Sequence, residues 1–327
     1  MRSCRSGREK AGTIARTAFA VTAVSHYTET PARAIDADMQ QLAASPSAAD
    51  ELDLDRYFAR IGYTGTPRPD LATLRALTEL HPAAIPFEAI DVFLGRPVDI
   101  GLRAIQAKLV AGGRGGYCFE QNGLFKRVLG ALGFMVEGLI GRVLWMRPQD
   151  APLLPLTHMA LRVTIDGERW LADVGFGSCI AGAPLRLDAA AEPQPTRHET
   201  FRCTRRGTWT LLEAQLPDGW HPVYALSPEP PADADYIAAN WYTSTHPESG
   251  FRRELRVAAT MPDRRATLLN SRLTVRRARG AAERRFLSER ELADALVATF
   301  GLRLDPESAR QAAAMATAAA TAASEAH

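Results

Sequence analysis

Arg114-Gly115-Gly116-Tyr117-Cys118-Phe119-Glu120 is a glycine-rich loop that runs directly into an apolar, helix-spaced segment. Cys118 therefore stands where a helix begins. The first turn of a helix has unpaired N–H groups and partial positive charge, which favour an anion. A cysteine placed there tends toward thiolate, the nucleophilic form. Such a nucleophile needs a base to take its proton and a third group to orient that base. His158 and Asp173 are the candidates for those roles.

Upstream of this loop the spacing stays helical. Residues 55–61 read as a helix that ends at Gly62, a residue suited to a left-handed cap. Asp70 is placed to cap a second helix, in which Leu71, Leu74, Leu77 and Leu80 recur at helical spacing. Another apolar pattern covers 102–110, and the helix that starts at Cys118 runs to about Leu132 and stops near Gly133. Residues 49–134 are thus expected to form a helical domain carrying the cysteine.

Downstream of Phe134 the apolar period drops to about two. A strand is expected over 136–146. Residues 158–174 hold two strands about Asp166-Gly167, and Asp-Gly between alternating runs is a strong hairpin signal. A second hairpin is expected over 201–216, with its turn near Arg206-Gly207. Residues 135–230 read as a β-rich, barrel-like domain carrying His158 and Asp173, and its Pro-rich stretch 217–231 reads as a long connection. In 231–305 the pattern gives a helix over 235–245, strands within 253–275, and a helix over 288–300 opened by a Ser288/Glu291 capping box. The Ala-rich tail, 306–327, either extends a helix or stays disordered. Residues 1–48 lack any period. They read as a disordered extension or a misassigned start, with Met39 as the alternative initiator.

The Asp166-Gly167 turn gives the candidate residues a geometry. With a two-residue turn, Ile165 faces Glu168 and His158 faces Gly175. Asp173 then shares a face with His158 in a diagonal position, where neighbours lie about 7–8 Å apart and side chains can meet. A one-residue bulge would reverse this parity.

Bulk properties exclude several classes. The chain has 327 residues, 46% apolar and 23% charged, which suits a globular protein of two or three packed units. A net charge of +2 does not point to nucleic acid, and no uninterrupted apolar run of about 18 residues points to a membrane. The basic residues before the mildly apolar run 17–24 only loosely mimic a signal peptide. Cys4, Cys118, Cys179 and Cys203 form no C-x-x-C pair and have no His cluster beside them. Neither a metal site nor a disulfide framework is expected, and a reducing, cytoplasmic setting is.

Several further stretches extend the pattern. They are Tyr57-Phe-Ala-Arg-Ile-Gly-Tyr63, Ile85-Pro-Phe-Glu88, Arg114 through Gln121-Asn122, Thr157-His158, Asp173-Val-Gly-Phe-Gly177, and Ser244-Thr-His-Pro247 followed by Phe251. In this order and spacing the chain resembles the arylamine N-acetyltransferases over about residues 52–300. The resemblance implies an α+β fold with an N-terminal helical domain, a central β-barrel and a C-terminal α/β lid around a papain-like Cys-His-Asp core. It places Cys118, His158 and Asp173 on the family triad. It also implies ping-pong transfer of acetyl from acetyl-CoA, a substrate rather than a resident cofactor, to arylamines or arylhydrazines.

Other roles follow from the same resemblance. Arg114 and Glu88 match a site-shaping ion pair, with Asn122 beside them. Phe87, Phe119, Phe176 and Phe251 are candidates for an apolar slot that takes a flat aromatic amine. Thr157, Trp145, Gly175, Gly177 and again Phe251 are candidates for the CoA cleft, the glycines by letting pantetheine approach the backbone. No P-loop or G-x-G-x-x-G is present. Residues 252–290 hold twelve Arg among interspersed acids, which read as a solvated surface, with attraction of CoA phosphates as the alternative. Two departures stand out: Ala89 where Asn follows Ile-Pro-Phe-Glu, and Ser178-Cys179 where a further Gly is common. An amide synthase of the same fold, releasing a carrier-bound polyketide chain onto an amine, is the alternative activity. A cysteine amidase or a non-catalytic binding module of this fold are more distant readings.

Overall fold

The computed structural model describes residues 51–148, 150–278 and 280–325, so the expectation for residues 1–48 lies outside the described residues. Helix α1 (Leu54–Ile61) opens at Asp53, whose Oδ1 accepts the Arg56 N–H at 3.0 Å, and closes at left-handed Gly62. Helix α2 (Leu71–Ala84) is capped in the same way, with Asp70 Oδ1 accepting the Thr73 N–H at 2.8 Å. Caps of this kind are worth about 1 kcal/mol each.

Strand β1 (Phe87–Glu88), α3 (Ile90–Phe93) and α4 (Leu102–Ile105) lead toward the glycine loop. The helix expected over 102–110 changes character halfway, because Gln106–Ala111 is π-helical. Its wider turn lets the Gly112 N–H reach Ala107 O and the Arg114 N–H reach Lys108 O, which swings the chain into the loop. Helix α5 (Cys118–Ala131) starts at the cysteine. Glu120 secures its first turn, with Oε2 accepting the Tyr117 N–H at 3.1 Å.

Eight strands follow: β2 (Met135–Val143), β3 (His158–Ile165), β4 (Glu168–Ala172), β5 (Leu185–Arg186), β6 (Gln194–Pro195), β7 (Thr200–Arg206), β8 (Trp209–Leu216) and β9 (Gly219–Leu226). They form an antiparallel sheet in the order β5-β4-β3-β2-β9-β8-β7-β6, curled into a nearly closed barrel. Ile165 faces Glu168 across Asp166 (φ 50°) and Gly167 (φ 80°), the paired left-handed residues that a tight hairpin requires. The β7–β8 turn falls at Gly207-Thr208, one residue later than expected, with Arg206 facing Trp209.

Residues 217–231 correct the sequence reading. They are not one long connection, because β9 occupies 219–226 and pairs with both β8 and β2. Pro222, which has no N–H for the ladder, faces Glu213 at the edge of a register shift, while Leu212 faces Tyr224. The β2 pairing covers only Tyr224 to Leu226, so Pro222 lies beyond it, where the bulge and the lack of a β2 partner accommodate a proline.

The remaining elements are α6 (Asp233–Thr245), α7 (Gly250–Arg253), β10 (Arg256–Thr260), β11 (Arg264–Leu269), β12 (Arg272–Arg277), β13 (Ala282–Phe286), α8 (Glu289–Ala298) and α9 (Pro306–Glu325). A second antiparallel sheet runs β1-β10-β11-β12-β13. Its first strand comes from the helical stretch, with Phe87 facing Ala258. The Ala-rich tail is helical, and its Ala312, Ala313 and Ala316 are fully buried in the cluster that also holds Leu292 and Leu296 of α8. Small side chains let the two helices come close.

Three apolar clusters hold these layers. One joins α1, α2 and α5 to Leu161, Val163 and Trp170 on the outer barrel face. A second fills the barrel with Leu139, Leu171, Phe201, Leu212 and Tyr224. The third packs the second sheet on α8 and α9. Alternation along β3 supplies the first cluster from Met159, Leu161, Val163 and Ile165, and the barrel interior from Ala160.

Candidate active site

Cys118, His158 and Asp173 come together where α5 meets the ends of β3 and β4. Cys118 is the first residue of α5, 4% exposed, and its Sγ lies 3.4 Å from Thr157 O. His158 Nε2 and Asp173 Oδ2 are 2.7 Å apart, and both residues are buried. With Nε2 on the carboxylate, Nδ1 is the ring nitrogen left for Cys118.

The route to this contact differs from the expected pairing. The β3–β4 ladder follows the predicted register but ends at Leu161–Ala172, and His158 faces Gly141 of β2 instead of Gly175. Past Ala172 the chain turns in toward α5. Asn122, one turn after Cys118, holds it there: Nδ2 donates to Asp173 Oδ1 at 2.9 Å and to Met159 O at 2.7 Å, and Oδ1 accepts the Val174 N–H at 3.0 Å. The Gly175 N–H adds a bond to Asp173 Oδ1 at 2.8 Å. One side chain thus ties the cysteine helix, the histidine strand and the aspartate loop together.

Burial alone would discharge both members of the pair, yet their mutual charge reverses that. Burial opposes the His158 cation, but the charge and hydrogen bond of Asp173, then those of Cys118, raise its pKa from 6.5 to about 10. Burial likewise opposes the Asp173 carboxylate, but His158, Asn122 and the Gly175 N–H hold it below the usual range. Cys179 and Cys203, by contrast, are buried in the barrel, and burial pushes both thiols up to about 12.

On the helical side lies a second set of charges. Arg114 Nη2 is 2.7 Å from Glu88 Oε1 and 3.0 Å from Asp91 Oδ2. Lys108 Nζ reaches Asp91 at 2.9 Å and Glu120 at 2.7 Å, while Arg96 approaches Asp91 from the rim at 3.7 Å. Glu88 is fully buried, and its Oε2 also accepts the Ile90 N–H at 2.8 Å. That bond serves the start of α3, where Ala89 supplies no side-chain cap. Burial raises Glu120 to about 7 against the pull of Lys108, since three carboxylates share the inner cations.

The aromatic candidates divide. Half-buried Phe87 lies 5.9 Å from Phe251 between ring centroids, and Phe176 stands edge-on to His158 at 5.1 Å. Phe119, 1% exposed, is a core residue, joined to Phe251 only through Tyr117, at 5.6 Å and 5.9 Å. Trp145 packs half-buried on the barrel interior. Gly177 (φ 83°) lies over Phe87, whose ring atoms would be 2.9 Å from a Cβ there. At Gly175 a Cβ would come within 2.8 Å of Cys118 Cα and of Asn122 Nδ2. The close approach that Gly175 permits is to α5, where the sequence suggested an approach by pantetheine.

Several participants escaped the sequence reading. Gln121 donates to Pro86 O at 2.9 Å and bonds His81 Nε2 at 2.6 Å, and His81 Nδ1 bonds Tyr57 OH at 2.9 Å. Burial lowers the His81 pKa to about 4 despite the Gln121 bond, so this chain of groups is neutral. The Tyr117 hydroxyl bonds Asn240 of α6. Tyr224 of β9 lies 4.6 Å from the His158 ring. Its buried hydroxyl has no hydrogen-bond partner among the described residues, beside a void of about 10 Å³ that Asp173 also lines. Such a void is the size of one water at most. Among the described residues no group of His, Cys, Asp and Glu could hold a metal, and no helix is long and apolar enough to cross a membrane.

A family profile described as N-acetyltransferase matches residues 70–309. An arylamine N-acetyltransferase of Mycolicibacterium smegmatis is 46% identical over 256 residues, covering 77% of this chain and 93% of that one. A solved structure of the M. smegmatis enzyme matches with a TM-score of 0.77 at 45% identity, covering 81% of this chain and 98% of that one. A Mycobacterium marinum arylamine N-acetyltransferase solved in complex with CoA matches with a TM-score of 0.76 at 37% identity, over 80% and 98% of the two chains. The chain belongs to the arylamine N-acetyltransferase family of acyltransferases.

Proposed function

We propose that the chain moves an acetyl group from acetyl-CoA to the nitrogen of an arylamine or arylhydrazine in two half-reactions through Cys118. The 2.7 Å contact between His158 Nε2 and Asp173 carries this reading, because it orients the ring and leaves Nδ1 to handle protons at the start of α5. At rest the Cys118 proton sits on His158 Nδ1 as a thiolate–imidazolium pair, in keeping with the raised His158 pKa, and in the first half-reaction Sγ attacks the thioester carbonyl. The bond from the acetyl carbon to the CoA sulfur breaks, and CoA leaves as the thiol with the proton from His158. One thioester replaces another, so little free energy is lost.

In the second half-reaction the amine attacks the acetyl carbonyl on Cys118. Its N–H proton goes to His158, which gave its own to CoA, the carbon–Sγ bond breaks, and the thiolate–imidazolium pair is restored. Weakly basic arylamines are neutral near pH 7 and need no prior deprotonation. The Cys118 N–H, at a helix position with no intrahelical acceptor, is the donor for the oxyanion. Phe87, Phe176 and Phe251 offer flat apolar walls for the acceptor, and Thr157, Trp145 and Gly177 border the donor. Arg114, Glu88 and Asn122 keep the loop and the dyad in place. A reducing cytoplasm keeps the thiol free.

Initial rates at several fixed acetyl-CoA concentrations test the two-step scheme. Double-reciprocal plots against an arylhydrazine should be parallel; intersecting lines would mean a ternary complex and contradict it.

A further inference from the structure

A cavity of about 590 Å³ lies between α1, the π-helical turn and residues 301–303, and none of its lining residues belongs to the site above. Arg56, Arg60 and Arg303 line it. Arg60 comes from the Tyr57–Tyr63 stretch, to which acetyl transfer assigns no task. Two of these arginines are braced from behind. Arg60 donates Nε–H to Leu109 O at 3.1 Å. Arg303 donates its backbone N–H to Gly113 O at 3.1 Å. The Arg303 stem lies across Gly113 (φ 64°) so closely that a Cβ there would be 2.5 Å from Cδ.

The outer N–H groups of both guanidiniums have no acceptor among the described residues, and neither arginine pairs with a carboxylate there. Arg56 adds a third guanidinium, shared with Asp53 at 3.3 Å. Burial first, and then the charge of Arg303, lower the Arg60 pKa, and both arginines line the same cavity. Arg60 is half-buried while Arg56 and Arg303 are exposed, so the cavity opens to solvent; like charges gathered there repel, and an anion between them turns that cost into attraction.

The geometry points to a binding site for a small diphosphate-bearing anion between Arg60 and Arg303, separate from the donor cleft. Guanidinium forks match phosphate oxygens bidentately. Two full positive charges and one shared with Asp53 suit a diphosphate better than a single carboxylate. The walls add Ala59 and Val110 but no aromatic ring to stack on a base, so the charged group is what the site reads. Inorganic pyrophosphate and the diphosphate of a nucleotide present that same chemistry.

Calorimetric titration of the full chain with inorganic pyrophosphate, and separately with ADP, tests the site whether or not the chain transfers acetyl groups. One saturable pyrophosphate site is expected, weakened by salt and weakened about tenfold or more by Arg303→Gln or Arg60→Gln, the loss of one charge-assisted contact. ADP binding more tightly than pyrophosphate identifies a nucleotide as the source; equal binding identifies the diphosphate alone. The acetyl-CoA KM should be unchanged in Arg303→Gln. Absence of saturable binding overturns the proposal, as does undiminished binding in Arg303→Gln. A raised acetyl-CoA KM in that variant also overturns it, because the arginine would then serve the donor.

Discussion

Two buried charge clusters flank the start of α5, and they differ in what their charges are free to do. On the barrel side one carboxylate meets one imidazole, with a thiol as third neighbour. On the helical side Glu88, Asp91 and Glu120 are locked by Lys108 and Arg114, cations with no role as proton carriers at neutral pH. The first cluster contains a group that can lose and regain a proton. The second fixes the loop that delivers Cys118. Pairing of buried or half-buried charges thus leaves a proton carrier in one place and a fixed scaffold in the other, according to whether a histidine or an arginine completes the pair.

The contrast breaks first at Asp173. Asp173→Asn should lower acetyl transfer by about 10⁴-fold, because an amide no longer fixes the imidazole tautomer. Steady-state rates check this; a loss below tenfold would remove Asp173 from the proton path. Arg114→Ala should instead cost about 3–5 kcal/mol of stability, since it leaves Glu88 and Asp91 short of a cation in a buried place. Denaturant unfolding reads that cost. A variant that kept its stability and lost only activity would place Arg114 in the chemistry.

Sharper discrimination comes from pH. The His158 pKa is raised from 6.5 to about 10, so its share of stability is complete below pH 6.5 and is lost as pH rises through about 10. The Asp173 pKa is depressed below its usual 3.8, so its share is present above that value and is lost as pH falls further. The stability deficit of Asp173→Asn, about 3 kcal/mol for a broken buried pair, should therefore be largest between these limits and shrink from pH 6.5 to 10. A deficit that stayed flat across that range would mean His158 is neutral throughout. The smallest effect is expected at Gly175. Gly175→Ala should cost about 1–3 kcal/mol through overpacking against Cys118 and Asn122, readable as a lowered Tm.

Much of this was legible in the sequence for identifiable reasons. Asp166-Gly167 specified a two-residue turn, and the turn fixed the register of β3 and β4. Asp70 and Ser288 marked helix starts through local bonds, and the structure contains both, whereas the Asp53 cap of α1 was not read from the sequence. What escaped depends on distant partners. Gln121 meets His81 and Pro86, 40 and 35 positions away, and no local pattern announces that. Tyr224 was hidden because Pro222 made its strand look like a loop; a bulge on β9, at a position beyond the β2 pairing, reconciles the two. Asp173 reached His158 by another route than the expected strand pairing, through a loop that Asn122 draws onto α5.

The measurement closest to the central claim is the intact mass of the protein after exposure to acetyl-CoA with no acceptor present. The wild-type chain should gain one acetyl group, lose it when an arylhydrazine is added, and Cys118→Ala should gain none. An unmodified wild-type chain, or an adduct that persists in Cys118→Ala, would contradict the assignment of Cys118 as the residue that holds the acetyl group.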